Sequence, residues 1–252
     1  MLTRIDLNAD AGESLGLWKL GHDTALMEHV TSVNVACGYH ASDPVTMREA
    51  VRTAAATNTA IGAHPGLPDL VGFGRRRMAL RPDEAAQIVV YQVGALQATA
   101  AVEGAEVVHV KPHGALYGMA LTDAAITTAI TEAVLRLDPD LLLFWLAGPT
   151  ADLARSLGAK VAREGFADLE YDDDARIIVE PAPLAKDPAV VAQQAVDLLE
   201  GHVTSTSGKH LDVEVDTICL HGDRLNSPDI CAAIVARFDE LGVERVPAIQ
   251  LL

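Results

Sequence analysis

A closed seven-stranded parallel (β/α) barrel is the fold that this 252-residue sequence predicts, and three observations carry it. Short apolar or β-branched runs alternate with Ala-rich segments of helical period, the rhythm of parallel strands joined by right-handed crossovers. Polar groups follow nearly every run, at Asn8 and Asp10, His40, His64, His113, Asp168, and His221 with Asp223. An open sheet uses mainly the strands beside one switch point, whereas a barrel brings the carboxyl ends of all its strands to one mouth. Third, no linker or low-complexity stretch interrupts the series, so residues 1–252 read as one domain.

The strands are expected at residues 4–9, 32–36, 60–63, 107–111, 141–146, 160–164 and 217–220. The helices are expected at 44–57, 82–102, 122–137, 150–157, 188–199 and 228–241, several opened by Pro in the first turn, with Asp43 as a cap. Residues 172–185 read as one long loop.

Composition excludes several classes. The chain carries 35 Asp+Glu against 19 Lys+Arg, a net charge of −16 that repels a phosphate backbone and argues against nucleic-acid binding. The strongly apolar run 141–147 is far shorter than the roughly 20 residues that cross a bilayer, so no membrane partner is expected. The N-terminus lacks an apolar signal region, which points to a cytoplasmic protein. Cys37, Cys219 and Cys231 form no CxxC and read as buried free thiols.

Period-2 alternation places Asp6, Asn8 and Asp10 on one face of the first strand, with Ile5 and Leu7 on the other. Asp10 and Glu13 can then supply a general base, an acid or a metal ligand at the mouth. In the fourth strand His109, Lys111 and His113 share a face. Four residues of strand separate His109 from His113 by about 13 Å, too far for one ion. Lys111 reads as a buried cation for a carboxylate or phosphate, His113 as an acid, base or ligand, and His109 as a hydrogen-bonded core histidine. His40, His64 and His221 each follow a strand beside glycines and, with Asp10, can form a divalent-metal site of N/O type.

Glycines at 72 and 74 lead into Arg75 and Arg76, guanidinium groups able to grip an anion. Neither this loop nor the Gly201 to His210 stretch has the spacing of a Rossmann turn or a P-loop. No Gly-x-Ser-x-Gly elbow is present, which leaves covalent Ser or Cys catalysis as the weaker mechanism.

Seven motifs in order span nearly the whole chain: Asp6-Leu-Asn-Ala-Asp-Ala-Gly-Glu-Ser14, Asn34-Val-Ala-Cys-Gly-Tyr-His40, Gly62-Ala-His-Pro65, Gly72-Phe-Gly-Arg-Arg76, Lys111-Pro-His-Gly-Ala-Leu-Tyr117, Phe166-Ala-Asp168 and Cys219-Leu-His-Gly-Asp223. Together they resemble the LamB/YcsF family. The resemblance implies a barrel related to polysaccharide deacetylase-like barrels. It also implies ATP-dependent opening of 5-oxoproline to L-glutamate, with 5-oxoproline or a related lactam as ligand, Mg-ATP as cofactor and separate B and C subunits as partners. A homo-oligomer is compatible with it. On that footing Asp10, Glu13, Lys111, His113 and His221 are the catalytic candidates. Asn8, His40, His64, Arg75, Arg76, Asp168 and Asp223 are the candidates for holding substrate or phosphate, and Asp10, His40 and His64 for holding a metal.

The sequence departs from the family pattern at Leu169 and Glu180, where arginines are usual, at Arg224-Leu225 in place of Thr-Pro, and at Ser42 in place of glycine. Loss of two cations from one side of the mouth is expected to alter which anion or lactam is accepted. Two other readings compete: a metal-dependent amidohydrolase or deacetylase without ATP, and a non-catalytic ligand-binding paralogue.

Overall fold

The computed structural model describes residues 1–180 and 183–252. Its strands are β1 (Arg4–Ala11), β2 (Ser32–Ala36), β3 (Ala60–His64), β4 (Val107–Val110), β5 (Leu142–Leu146), β6 (Val161–Phe166), β7 (Glu170–Tyr171), β8 (Ile177–Ile178), β9 (His202–Thr204), β10 (His210–Asp212), β11 (Thr217–Leu220) and β12 (Glu244–Arg245). The helices are α1 (Asp23–Met27), α2 (Pro44–Thr57), α3 (Pro82–Val102), α4 (Gly114–Thr122), α5 (Ala124–Leu137), α6 (Pro149–Ser156), α7 (Pro188–Leu199) and α8 (Ser227–Glu240).

Strands β1 to β6 pair in parallel in chain order, β11 pairs with β6, and β11 also pairs with β1, which closes a seven-stranded barrel. The alternation in β1 is realised: Ile5, Leu7 and Ala9 sit in the apolar core, while Asp6 and Asn8 bond across the interior to neighbouring strands. The register Asp6 to Thr217 and Asn8 to Cys219 stacks these polar layers beneath the mouth. His109 crosses the interior to stack on Phe144 and donate to Asn34, as expected of a core histidine. Gly62 makes this crossing feasible, because a Cβ there would lie 1.9 Å from the His109 Nε2.

Asp43 caps α2 as expected, accepting from the Val45 and Thr46 N–H groups, and all three cysteines are buried and free. Several boundaries differ. The helix expected from 122 begins at Ala124 under an Asp123 cap, and α4, not foreseen, precedes it. Strand β4 ends at Val110, which leaves Lys111 in the turn. The expected loop 172–185 contains one strand of the β7–β8 hairpin, and Pro181 and Ala182 lie outside the described residues. The Gly201 to His210 stretch forms the β9–β10 hairpin. Helix α3 is long and apolar enough to cross a membrane by length and composition, which the run 141–147 did not disclose; its Ala85, Val89, Val93 and Leu96 pack into the core.

Candidate active site

The last interior residue of β1 is Asp10, and the first residue beyond β4 is Lys111; they meet at 3.2 Å, both almost fully buried. Lys111 Nζ also lies 2.9 Å from a Glu164 carboxylate oxygen and 2.9 Å from the Cys219 Sγ. Burial opposes both charges. His64 and Lys111 nevertheless hold the Asp10 carboxyl well below the usual carboxylate range, and Asp10, Cys219 and Glu164 raise Lys111 well above the usual lysine range. The pair is therefore ionised at neutral pH. Tyr117 donates to the second Glu164 oxygen at 3.0 Å and completes the floor of the site.

Beside Asp10 stands a cluster of Glu13, His40, His64 and His113, one ligand-type atom of each lying within 4.8 Å of the others. His64 Nδ1 donates to the Lys111 carbonyl at 2.7 Å, and His113 Nε2 donates to the Phe73 carbonyl at 2.8 Å. Their other ring nitrogens are 3.0 Å apart. His40 stacks on His113 at 3.7 Å and places its Nε2 3.2 Å from Glu13. Gly74, at φ +63°, lets the 72–76 loop close over both rings, since a Cβ there would fall 2.7 Å from the His40 Cβ. Burial, then Asp10 and Asp223, push the Glu13 carboxyl well above its usual range; burial and the adjacent histidines keep His40 and His113 well below theirs.

Across the mouth, His221 Nδ1 donates to Asp168 at 2.9 Å, and its Nε2 points toward Asp10 at 4.0 Å. Burial disfavours the imidazolium, but Asp168 outweighs it and raises the His221 pKa. Arg224, only 1 % exposed, donates from Nε to Asp168 at 2.7 Å and from Nη1 to Glu180 at 2.9 Å. A cavity of about 170 Å³ opens between these two groups, its apolar wall formed by Leu121, Phe166, Leu169, Ile177 and Val179.

The structure thus gathers Asp10, His64, Arg75, Lys111, His113, His221 and Asp223 around one cavity, as the barrel reading required. Asn8 lies a layer deeper, bonded to Thr217, Glu164 and Asn34, and belongs to the interior rather than to a substrate grip. Arg76 turns away to pair with Asp69 at the surface, leaving Arg75, held 2.6 Å from Asp223, as the loop's cation at the mouth. Lys111 answers Asp10 and Glu164 before any substrate anion. Asp168 holds His221 and Arg224 and does not line the cavity. The expected metal set is also revised: Glu13 and His113 join His40 and His64, while His221 stands apart beside Asp10. Nor does the mouth lack cations, because Arg224 and Arg176 line the side where two were expected to be lost.

Glu164 escaped the sequence reading, and Tyr117 and Arg224 were noted there, in a motif and as a departure from the family pattern, without a place in the site. Glu164 carried a signal, since it shares the face of Ala162 and Phe166, which is otherwise apolar.

The family description "LamB/YcsF family" matches residues 5–252. A Methylococcus capsulatus protein, named as the A subunit of 5-oxoprolinase, is 48% identical over 100% of this chain and 97% of its own length. The crystal structure of a lactam utilization protein from Thermus thermophilus superposes with a TM-score of 0.89 at 43% identity, covering 97% of this chain and 99% of that one. A family 4 carbohydrate esterase from Streptomyces lividans, 12% identical with a TM-score of 0.52 over 96% and 91% of the two chains, shares the barrel fold alone. On sequence and on structure alike, the chain belongs to the LamB/YcsF family.

Proposed function

We propose that this chain is the lactam-opening subunit of an ATP-coupled 5-oxoprolinase, converting 5-oxoproline to L-glutamate. One observation carries the reading: an ionised Asp10, paired with Lys111, faces the Asp168-held His221 across the cavity mouth. A five-membered lactam is an unactivated amide, and phosphorylation of its oxygen supplies the activation. Asp10 then takes a proton from the attacking water, and His221 delivers one to the ring nitrogen as the C–N bond breaks, which leaves a γ-glutamyl phosphate that a second water hydrolyses to L-glutamate and inorganic phosphate. Lys111 keeps Asp10 charged, and Arg75 offers a guanidinium to the substrate carboxylate.

The sequence holds no P-loop or Rossmann turn, so we assign Mg-ATP to the B and C partner subunits. Leu17, Trp18, Val71 and Leu225, each at least three-quarters exposed, stand on loops following β1, β3 and β11 around the mouth. An apolar rim of this kind supports a partner covering that face. The three free thiols fit a reducing, cytoplasmic setting.

The test is reconstitution with the partner subunits, following glutamate formation from 5-oxoproline with and without ATP. Strict ATP dependence is expected, and Asp10→Asn or His221→Ala should each lower kcat by about 100- to 10,000-fold. Unchanged turnover in both variants would overturn the role assignment. The Glu13 and histidine cluster favours a second reading, metal-dependent amide hydrolysis. Turnover that needs no ATP and disappears on chelation would select it.

A further inference from the structure

The hydrogen bonds of His64 and His113 leave two lone pairs pointing at each other. In the neutral rings, because His64 gives its Nδ1 proton to the Lys111 carbonyl, its Nε2 is an acceptor; because His113 gives its Nε2 proton to the Phe73 carbonyl, its Nδ1 is an acceptor too. These acceptors sit 3.0 Å apart and nearly free of solvent. Two buried ring nitrogens at that distance need a positive centre between them, either a proton carried by one ring, as when a charged His64 lowers Asp10, or a metal ion. Glu13 Oε1 is 3.7 Å from the same His113 nitrogen and 3.2 Å from His40 Nε2. Four donors about 2.0 to 2.1 Å from a tetrahedral ion lie roughly 3.4 Å from one another, a spacing that 3.0, 3.2 and 3.7 Å bracket. A ligating histidine characteristically gives its other ring proton to a carbonyl or carboxylate, as both His64 and His113 do here.

We infer that Glu13, His40, His64 and His113 form a binding site for one zinc-class divalent cation. Three imidazoles and one carboxylate suit zinc, cobalt or nickel better than magnesium or calcium, which prefer oxygen throughout. The 72–76 loop closes the cluster on one side, while His64 and His113 also line the cavity, so the bound cation would act as a Lewis acid beside Asp10. The inference comes from donor geometry and does not depend on the identity of the lactam or the use of ATP.

The full-length chain, stripped with a chelator and dialysed, is to be titrated with zinc chloride by calorimetry and with cobalt chloride by visible absorption. One equivalent per chain and the intense visible bands of tetrahedral cobalt are expected. His64→Gln and His113→Gln should each weaken binding by more than the roughly 10- to 100-fold that loss of an outer partner costs. A surface group, Asp197, Glu200 and His202, is the internal control, and His202→Gln should leave binding unchanged. Absence of stoichiometric binding overturns the proposal. So does binding that survives both cluster variants but falls with His202→Gln. If the cluster variants do not fold, X-ray absorption on the wild-type zinc protein decides: three imidazoles in the coordination shell uphold the site, and one or none overturns it.

Discussion

Asp6 is a buried carboxyl answered by three hydroxyls and by the backbone of Ala248. It accepts from Thr31 and Ser32 at 2.7 Å each and from Thr217 at 2.5 Å, yet burial outweighs these bonds and lifts its pKa from 3.8 to about 6. The folded state therefore holds this proton more tightly than the unfolded one. The stability that results is complete below about pH 4 and is lost as pH rises through about 6, a span worth about 3 kcal/mol. Denaturant midpoints measured between those limits should fall more steeply for wild type than for Asp6→Asn; parallel slopes would exclude Asp6 as the source. Ser42 poses a conformational problem instead. Its φ of +76° is the left-handed region, which costs a non-glycine residue about 1 kcal/mol or more. Ser42→Gly retains the N–H bond to the Ser14 carbonyl and should raise Tm by about 2–4 °C in a scanning experiment. The departure from glycine was legible in the sequence; the backbone angle that explains it was not.

Among the elements, the strands were legible because alternation is a local property, and β1 shows it with an acid or amide at every second position from Asp6 to Asp10. Helix α4 was not, since Gly114 and Gly118 disfavour a helix; the Gly114–Thr122 segment is helical because Leu116, Tyr117 and Met119 bury against the core. The segment from β6 to α7 was misjudged for a different reason. Leu169 and Glu180 suggested an uncompensated loss of charge, but Arg224, 44 positions after Glu180, supplies a guanidinium to both Glu180 and Asp168. A pairing that arises only on folding leaves no local pattern. Arg224→Met should cost about 1–3 kcal/mol in chemical denaturation, because Asp168 and Glu180 lose the guanidinium between them while keeping His221 and Lys186. A loss below about 1 kcal/mol would mean that the β6–α7 segment is held by other contacts.

At the scale of the molecule, the sequence placed the right residues at the barrel mouth but grouped them imperfectly. Strand parity tells which way a side chain points, not how far a loop carries it, so His113 was seen as reaching the mouth without being matched to Glu13 and His40. The closure between β1 and β11 has a consequence for how the chain assembles. Asp6 and Asn8 bond to Thr217 across 211 and 209 positions, whereas the pairings from β1 through β6 follow chain order. During synthesis the first strand meets β2 early, but its interior acid and amide must wait in water for a neighbour made when the chain is nearly complete. Sequence-distant contacts of this kind form late and slow the search. The seam between the first and last barrel strands is thus where a nascent or thermally loosened molecule is open, and where its polar interior first admits solvent.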